Sequence, residues 1–241
     1  MSERAQVDRE ATAVVRRMAD YLTSLRTFRV TADSTTELVL ETGQKIQVLA
    51  TSNVAVQRPN RLRSDRRGPL AHITFLYDGR TITMYGRRHN LYAQAEAPPN
   101  LDQALDFARE RLEVEAPGAD LLYSDVYEGL IEGTTSGRYL GEVEVDGVVC
   151  DHVAFQGEDV DWQLWVERGD RPLPRRYVIV TKDQRSLPEF VVELRDWEVA
   201  PTLAAADFEF TPPPGATEIE FLGEALPARA HGARDTEGAG A

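Results

Sequence analysis

Sulfur, lysine and long apolar runs are all scarce in this chain, and each scarcity closes a route. A lone cysteine, Cys150, rules out any disulfide within the chain. No stretch reaches the roughly 18 apolar residues that a membrane-crossing helix needs. The four histidines, His72, His89, His152 and His231, are too scattered to make a zinc-binding pattern. Positive charge is in deficit as well. The formal net charge is −13, and so acidic a chain repels phosphate backbones, which disfavours general nucleic-acid binding.

The charge is also unevenly placed. Residues 1–100 carry 15 basic and 10 acidic groups, whereas residues 101–241 carry 12 and 30. The basic stretch Arg58, Arg61, Arg63, Arg66, Arg67 reads as a solvated strand face with loop charges, or as a contact for anionic headgroups. Only Lys45 and Lys182 are lysines, a bias that carries no functional message. Residues 1–8 are polar and form an expected flexible N-terminus. They lack the apolar core of a secretory signal, so the chain as written is expected in the cytoplasm.

What the chain has is alternation. Asp8 caps a helix expected from about Arg9 to Leu25, with Val14, Val15, Met18, Tyr21, Leu22 and Leu25 on one stripe. Arg16 and Arg17 fall on the other side. Strands are expected at Phe28–Leu40, Lys45–Gln57 and Arg61–Arg66. Ala71–Tyr77 and Arg80–Tyr85 form a hairpin through Asp78-Gly79, a pair suited to a two-residue type I′ turn. That register sets Tyr77 against Arg80 and Phe75 against Ile82. Ile73, Phe75, Tyr77, Ile82 and Met84 then share one face, and Thr74, Thr81 and Thr83 share the other, expected to be wet.

Pro98-Pro99 ends this section, and Asn100 caps a helix over about Leu101–Leu112. Short helical turns follow within Asp120–Ile131. A second β-rich stretch contains Arg138–Val145 and Val148–Gln156, joined at Asp146-Gly147. A three-residue loop is expected there, placing Val143 opposite Val149 and Tyr139 opposite Val153. Val160–Glu167, Arg175–Thr181, Phe190–Val199 and Phe208–Phe210 complete the strands. Residues 223–241 lack periodicity and read as a disordered tail. Residues 9–222 then form one β-rich domain. About ten sequential one-sided strands predict a mainly β fold of the α+β type: a curved antiparallel sheet or half-open barrel, its concave face covered by the N-terminal helix and the helical insert. A β-sandwich with peripheral helices remains the alternative.

Several motifs carry a family resemblance. They are Val14-Val15-Arg16-Arg17-Met18, the hairpin Tyr77-Asp78-Gly79-Arg80, the stretch from Trp165-Val166-Glu167 to Leu173-Pro174-Arg175-Arg176, and Phe208-Glu209-Phe210-Thr211-Pro212-Pro213-Pro214-Gly215-Ala216. Over about residues 9–222 the chain resembles a family of uncharacterised bacterial proteins predicted to be periplasmic, and through it the Lol-type lipoprotein carrier fold. The resemblance implies a half-open barrel with a helical lid, a cavity for acyl chains and a periplasmic location. It assigns no ligand residues.

No residue pattern points to a reaction or a cofactor. Cys150 and His152 share a strand face but read as a core thiol beside a strand-edge imidazole. Glu158, Asp159 and Asp161 lack calcium-loop spacing. Gly133-Thr134-Thr135-Ser136-Gly137 reads as a flexible turn rather than a phosphate loop. The expected function is a non-enzymatic binding or carrier module for a lipid, a lipoprotein acyl chain or another hydrophobic ligand. Its cavity would be lined by Ile73, Phe75, Tyr77, Ile82, Met84, Trp162 and Leu164; Arg80 reads as a plain surface arginine, with a headgroup contact at the rim as the alternative. The alternative is a structural or protein-interaction domain of the bacterial envelope, with the same fold and a filled core.

Overall fold

The computed structural model describes residues 7–182 and 187–221. His231 and the expected tail at 223–241 lie outside these residues. The architecture is a curved, unclosed sheet of twelve strands among the described residues, backed by three α-helices. Helix α1 spans Arg9–Ser24. Strands β1 to β6 are Thr27–Val39, Lys45–Gln57, Arg61–Arg67, His72–Tyr77, Thr81–Gly86 and Leu91–Glu96. Helices α2 and α3 follow at Leu101–Arg111 and Val126–Ile131. Strands β7 to β12 are Thr134–Val145, Val148–Gly157, Val160–Glu167, Pro174–Thr181, Glu189–Val199 and Thr217–Glu218. The order across the sheet is β12-β6-β5-β4-β3-β2-β1-β11-β10-β9-β8-β7. Every pairing is antiparallel except β12 with β6.

This order follows from chain economy. Two meanders, β1 to β6 and β7 to β11, grow outward in opposite directions and join where β1 pairs with β11. Sequential neighbours need only short turns; the long detours are the helical insert, residues 97–133, and the segment 200–216 that leads from β11 to β12. Alternation assigns each strand one face to the helices. Phe28 and Val30 of β1, Val56 of β2, Leu62 of β3, Tyr77 of β4 and Ile82 of β5 join Val153, Phe155, Trp162, Leu164, Tyr177 and Val192 in one core with α1 and α2.

Helix α1 behaves as its stripe predicts. Asp8 accepts from the Glu10 N–H at 2.9 Å, and Ala11, Val14, Val15, Met18, Ala19 and Leu22 are buried. Its outward arginines are not idle, however. Arg17 pairs with the buried Asp151 of β8 at 2.7 Å, and the Arg16 guanidinium lies 3.4 Å from the centroid of the Tyr127 ring in α3. Residues 7 and 8 are tied to the sheet edge: Val7 bridges to Gly137, and the Asp8 N–H donates to the Gly137 carbonyl at 2.9 Å.

Both hairpins differ in detail from their expected registers. In the first, Tyr77 faces Ile82 and Phe75 faces Met84, so the loop has four residues rather than two. The cause is the Asp78 side chain, whose Oδ1 accepts from the N–H groups of Arg80 and Thr81 at 2.9 and 2.8 Å and so organises a wider turn. A slip of two residues preserves parity, so the expected face survives. In the second, Asp146 and Gly147 both have positive φ, 48° and 78°, and form a two-residue turn that places Val143 opposite Cys150. A bulge between Tyr139 and Gly141 then shifts the ladder, so Tyr139 still faces Val153.

Two further expectations are corrected. Residues 134–137 are strand, not a flexible turn. Gly137 is needed there because a Cβ would stand 2.6 Å from Cδ1 of Phe155. Phe208–Phe210 is not a strand. It belongs to a strap that crosses the outer face of β3 to β6 and then pairs as β12 along β6. Phe208 is 1% exposed, Phe210 packs on Tyr85 and Tyr92, and Arg63 Nη1 donates to the Asp207 carbonyl at 3.1 Å. The supposedly wet Thr74 and Thr83 are buried for the same reason. Their hydroxyls are satisfied by Asp65 at 2.7 Å and Gln94 at 2.9 Å.

Candidate functional site

The helix-side face of the sheet is the one large apolar surface whose cover is not another sheet. All seven expected lining residues lie on it. Tyr77 and Ile82 on one arm, and Trp162 and Leu164 on the other, are at most 3% exposed. Phe75 and Met84 are partly buried against the same core, while Ile73 sits further along β4, opposite Arg66 of β3. Strands β4 and β9 are six positions apart in the sheet, about 29 Å along its surface at roughly 4.8 Å per strand. The two groups sit on separate arms of the sheet and share one core with the helices. Arg80, read chiefly as a surface arginine, is exposed within the turn at residues 78–81.

The cover over the middle is the segment 97–131. Its apolar contribution comes from Leu101, Ala104, Leu105, Ala108, Leu112, Leu121, Val126 and Leu130. Its polar attachment is a handful of hydrogen bonds to the strand side, among them the Ala97 N–H on the Arg80 carbonyl at 2.8 Å and the Thr134 hydroxyl on the Ile131 carbonyl at 2.9 Å. Tyr77 Oη donates to the Pro98 carbonyl at 2.5 Å, Arg58 Nη2 to the Tyr123 carbonyl at 3.2 Å, and Tyr177 Oη to Asp120 Oδ2 at 3.3 Å. At its start, the Leu101 N–H also donates to the Pro59 carbonyl at 2.9 Å. The segment is braced internally by Tyr123 Oη on Asp106 at 2.9 Å and by the Ser124 N–H on Asp102 at 3.0 Å.

Burial sets the electrostatics of these latches. It raises the Asp120 carboxyl above its ordinary range, against the opposing hydrogen bond from Tyr177 and the nearby charge of Arg109. It pushes the Tyr77 phenol up to about 12 and the Tyr177 phenol well above the ordinary value, so both stay donors at any physiological pH. Arg58 is lowered by burial, and its Nε is buried without a hydrogen-bond partner. An unsatisfied guanidinium N–H of this kind costs free energy in the closed arrangement. The latches were not singled out from sequence. Tyr177 carried a signal, since it alternates with Ile179 on the inward face of β10, but Asp120 and Arg58 carried none.

The outer face offers grooves of different character. One, of about 510 Å³, runs over β1, β2, β10 and β11 and is lined by Asp33, Thr35, Leu49, Arg67, Arg176 and Glu193, among others. A second, of about 360 Å³, holds Arg29, Arg63, Asp65, Asp196, Glu198 and Asp207. Their charges are largely matched internally: Asp33 with Arg195 at 2.6 Å, Glu193 with Arg176 at 2.6 Å, and Asp65 with Arg63 at 2.7 Å. Matched surface pairs leave little unspent attraction for a ligand.

The residues that could do chemistry are placed for packing. Cys150 is fully buried, and burial pushes its thiol up to about 11, so it is not a thiolate near neutral pH. His152 stacks on Trp165 with centroids 4.0 Å apart and shares a hydrogen bond with Gln163 at 3.0 Å. Desolvation lowers its pKa. The acidic turn near Asp161 is closed by Lys182, whose Nζ lies 3.0 Å from Asp161 and 2.7 Å from the Gly157 carbonyl. Among the described residues no group of three His, Cys, Asp or Glu side chains is placed to hold a metal ion. No described helix is long and apolar enough to cross a membrane.

The fold is similar to that of an uncharacterised conserved protein from Thermus thermophilus, at 13% identity and a TM-score of 0.52, covering 88% of this chain and 99% of that one. More distant similarities include the Mycobacterium tuberculosis lipoprotein LppX, at 14% identity and a TM-score of 0.46 over 81% of this chain and 98% of that one. Another is a LolA superfamily protein from Nitrosomonas europaea, at 13% identity and a TM-score of 0.43 over 83% and 97%. No curated protein matches the chain by sequence. Residues 11–222 match the family described as predicted periplasmic protein, DUF2092, and the chain belongs to that family.

Proposed function

We propose that this protein is a non-enzymatic carrier or binding module that shelters a lipid, a lipoprotein acyl chain or another hydrophobic ligand between its sheet and its helical segment. The family's description favours the periplasm as the place where it acts. The observation that carries the reading is the cover itself. A broad apolar face is closed by helix α1 and one excursion of the chain, residues 97–131, and not by a second sheet.

The physical logic is exchange of one apolar cover for another. Helix α1 is bolted to the sheet through Arg17 and Asp151, whereas the insert is held by hydrogen bonds involving Arg58 and Tyr177 and by the Arg16–Tyr127 contact with α1. Lifting the insert would uncover Tyr77 and Tyr177, which it meets through Pro98 and Asp120. An acyl chain laid there regains about 0.8 kcal/mol for each methylene it buries, without directional contacts. Release of the orphaned Arg58 Nε to water offsets part of the opening cost.

A second reading is supported by the tight aromatic packing under the helices. Phe155 stacks on Trp162 at 4.2 Å, and Trp162 meets Tyr177 edge-on at 6.3 Å. A core that is always filled in this way suits a structural or protein-interaction domain of the envelope. Native mass spectrometry of the freshly purified chain separates the two. The carrier reading expects an added mass in the range of lipids, lost on delipidation and restored with a long-chain fatty acid. A bare chain mass throughout, with no uptake of the fatty acid, leaves the filled-core reading.

A further inference from the structure

The chain is strongly acidic, yet one corner of the sheet gathers cations beside exposed leucines. At the end where β3 turns into β4 and β5 into β6, Arg67 closes β3, and Arg87 and Arg88 follow β5. Arg88 ties the two turns together, its Nη1 donating to the Leu70 carbonyl at 3.3 Å and its Nη2 to the Gly68 carbonyl at 3.1 Å. The tie fixes the turn that carries Leu70, which is 67% exposed. Leu49 of β2 is 63% exposed and adjacent: a Cβ on Gly68 would stand 3.1 Å from its carbonyl oxygen.

One exposed leucine is ordinary. Two, side by side on a rigid turn and strand and ringed by arginines, form a wedge with a cationic collar. The nearby acids do not cancel the collar. Asp65 is shared between Arg63 at 2.7 Å and Arg87 at 3.5 Å, and Asp33 and Glu193 in the adjoining groove are paired with Arg195 and Arg176. Glu189 also lines that groove. Among the described residues no carboxylate lies within ion-pair distance of Arg67 or Arg88, so their charge is available to an outside partner.

We infer that this corner docks the protein onto an anionic lipid surface, with Leu49 and Leu70 entering the headgroup layer and Arg67 and Arg88 meeting lipid phosphates. Apolar insertion and electrostatic attraction act together there, as interfacial binding requires. The inference is independent of any ligand under the helices, so the carrier reading can fail while this one stands, and the reverse.

The test is co-sedimentation of the full chain with mixed phosphatidylglycerol–phosphatidylcholine vesicles and with pure phosphatidylcholine vesicles, at low and high salt. Binding is expected to the anionic vesicles and to fall as salt rises. Arg67→Ser should weaken it about fivefold, and Leu70→Asp by at least about tenfold. Leu140→Asp, at another exposed leucine on β7 at the far edge of the sheet, should leave it unchanged. Equal binding to neutral vesicles, no binding at low salt, or equal losses in the Leu70 and Leu140 variants would overturn the inference. So would a chain that self-associates through Leu70 in sedimentation and ignores vesicles. Thermal melts of each variant, expected to match the parent, confirm that surface and not folding has been altered.

Discussion

Weakening the helical segment should tighten ligand binding, even though it destabilises the protein. Leu121, 6% exposed, anchors the short 3-10 turn at Ala119–Leu122 to the common core. Leu121→Ala removes this contact and leaves a void. Core leucine truncations cost about 2–5 kcal/mol, and the lower end applies because neighbouring parts of the segment are half exposed and can settle into the space. If the segment opens independently of the sheet, a cost of about 2.7 kcal/mol raises its open fraction about a hundredfold. Apparent affinity is the intrinsic affinity scaled by the open fraction, so binding of a long-chain fluorescent fatty acid should strengthen by up to about a hundredfold. Fluorescence titration reads the affinity, and urea unfolding of the same variant reads the stability. A variant whose midpoint falls while its fatty-acid affinity drops or stays fixed would refute the reasoning, because the segment would then be part of an indivisible core.

Three other outcomes follow from the same structure. Phe208→Ala should cost about 3–5 kcal/mol in urea unfolding, since the ring anchors the strap over β3 to β6; a loss of only a few tenths would mean the strap contributes little. Asp120→Asn should stabilise the protein near neutral pH and do little in acid. Burial raises this carboxyl, so the protonated form is favoured by folding and its advantage is lost as pH rises through the folded pKa. Melting curves across pH that show the variant gaining nothing at pH 7 over its gain at pH 4 would contradict the assigned environment. Finally, Cys150 should resist thiol reagents in the native state at pH 7 and react fully in denaturant, as its burial and its thiol near 11 require; rapid native labelling would show the β8 face to be open.

The strand pattern was readable because each strand spends one face on the core, and period-two alternation records that directly. Ile73, Phe75, Tyr77, Ile82 and Met84 were grouped correctly even though the turn between them holds four residues, because a slip of two leaves the faces unchanged. Strand β6 was harder, since its inward residues Ala93 and Ala95 are small and barely register as apolar. The strap was not legible at all. Thr74, Thr83 and Gln94 look like a solvent face, and only a distant proline-containing segment, folding back by way of Phe208 and Phe210, turns that face into an interior one. The β7–β8 register was misjudged for a related reason. Pairing apolar residues favoured Val143 opposite Val149, but the left-handed geometry of Asp146 and Gly147 dictates the turn, and those valines are left exposed.

The site divides along the same line. That the five hairpin side chains share a face, and that Trp162 and Leu164 share one on their own strand, follows from alternation alone. What lies over them depends on contacts between residues far apart in sequence, such as Arg58 with Tyr123 and Tyr177 with Asp120, which have no local signature.

Whether the insert gives way to a ligand can be read directly by hydrogen–deuterium exchange of the chain with and without a saturating long-chain fatty acid. Residues 101–131 should exchange faster in the bound state, while the inward strands β9 and β10 exchange more slowly. Unchanged or increased protection of 101–131 in the presence of the fatty acid would contradict a cover that yields its place to a hydrophobic guest.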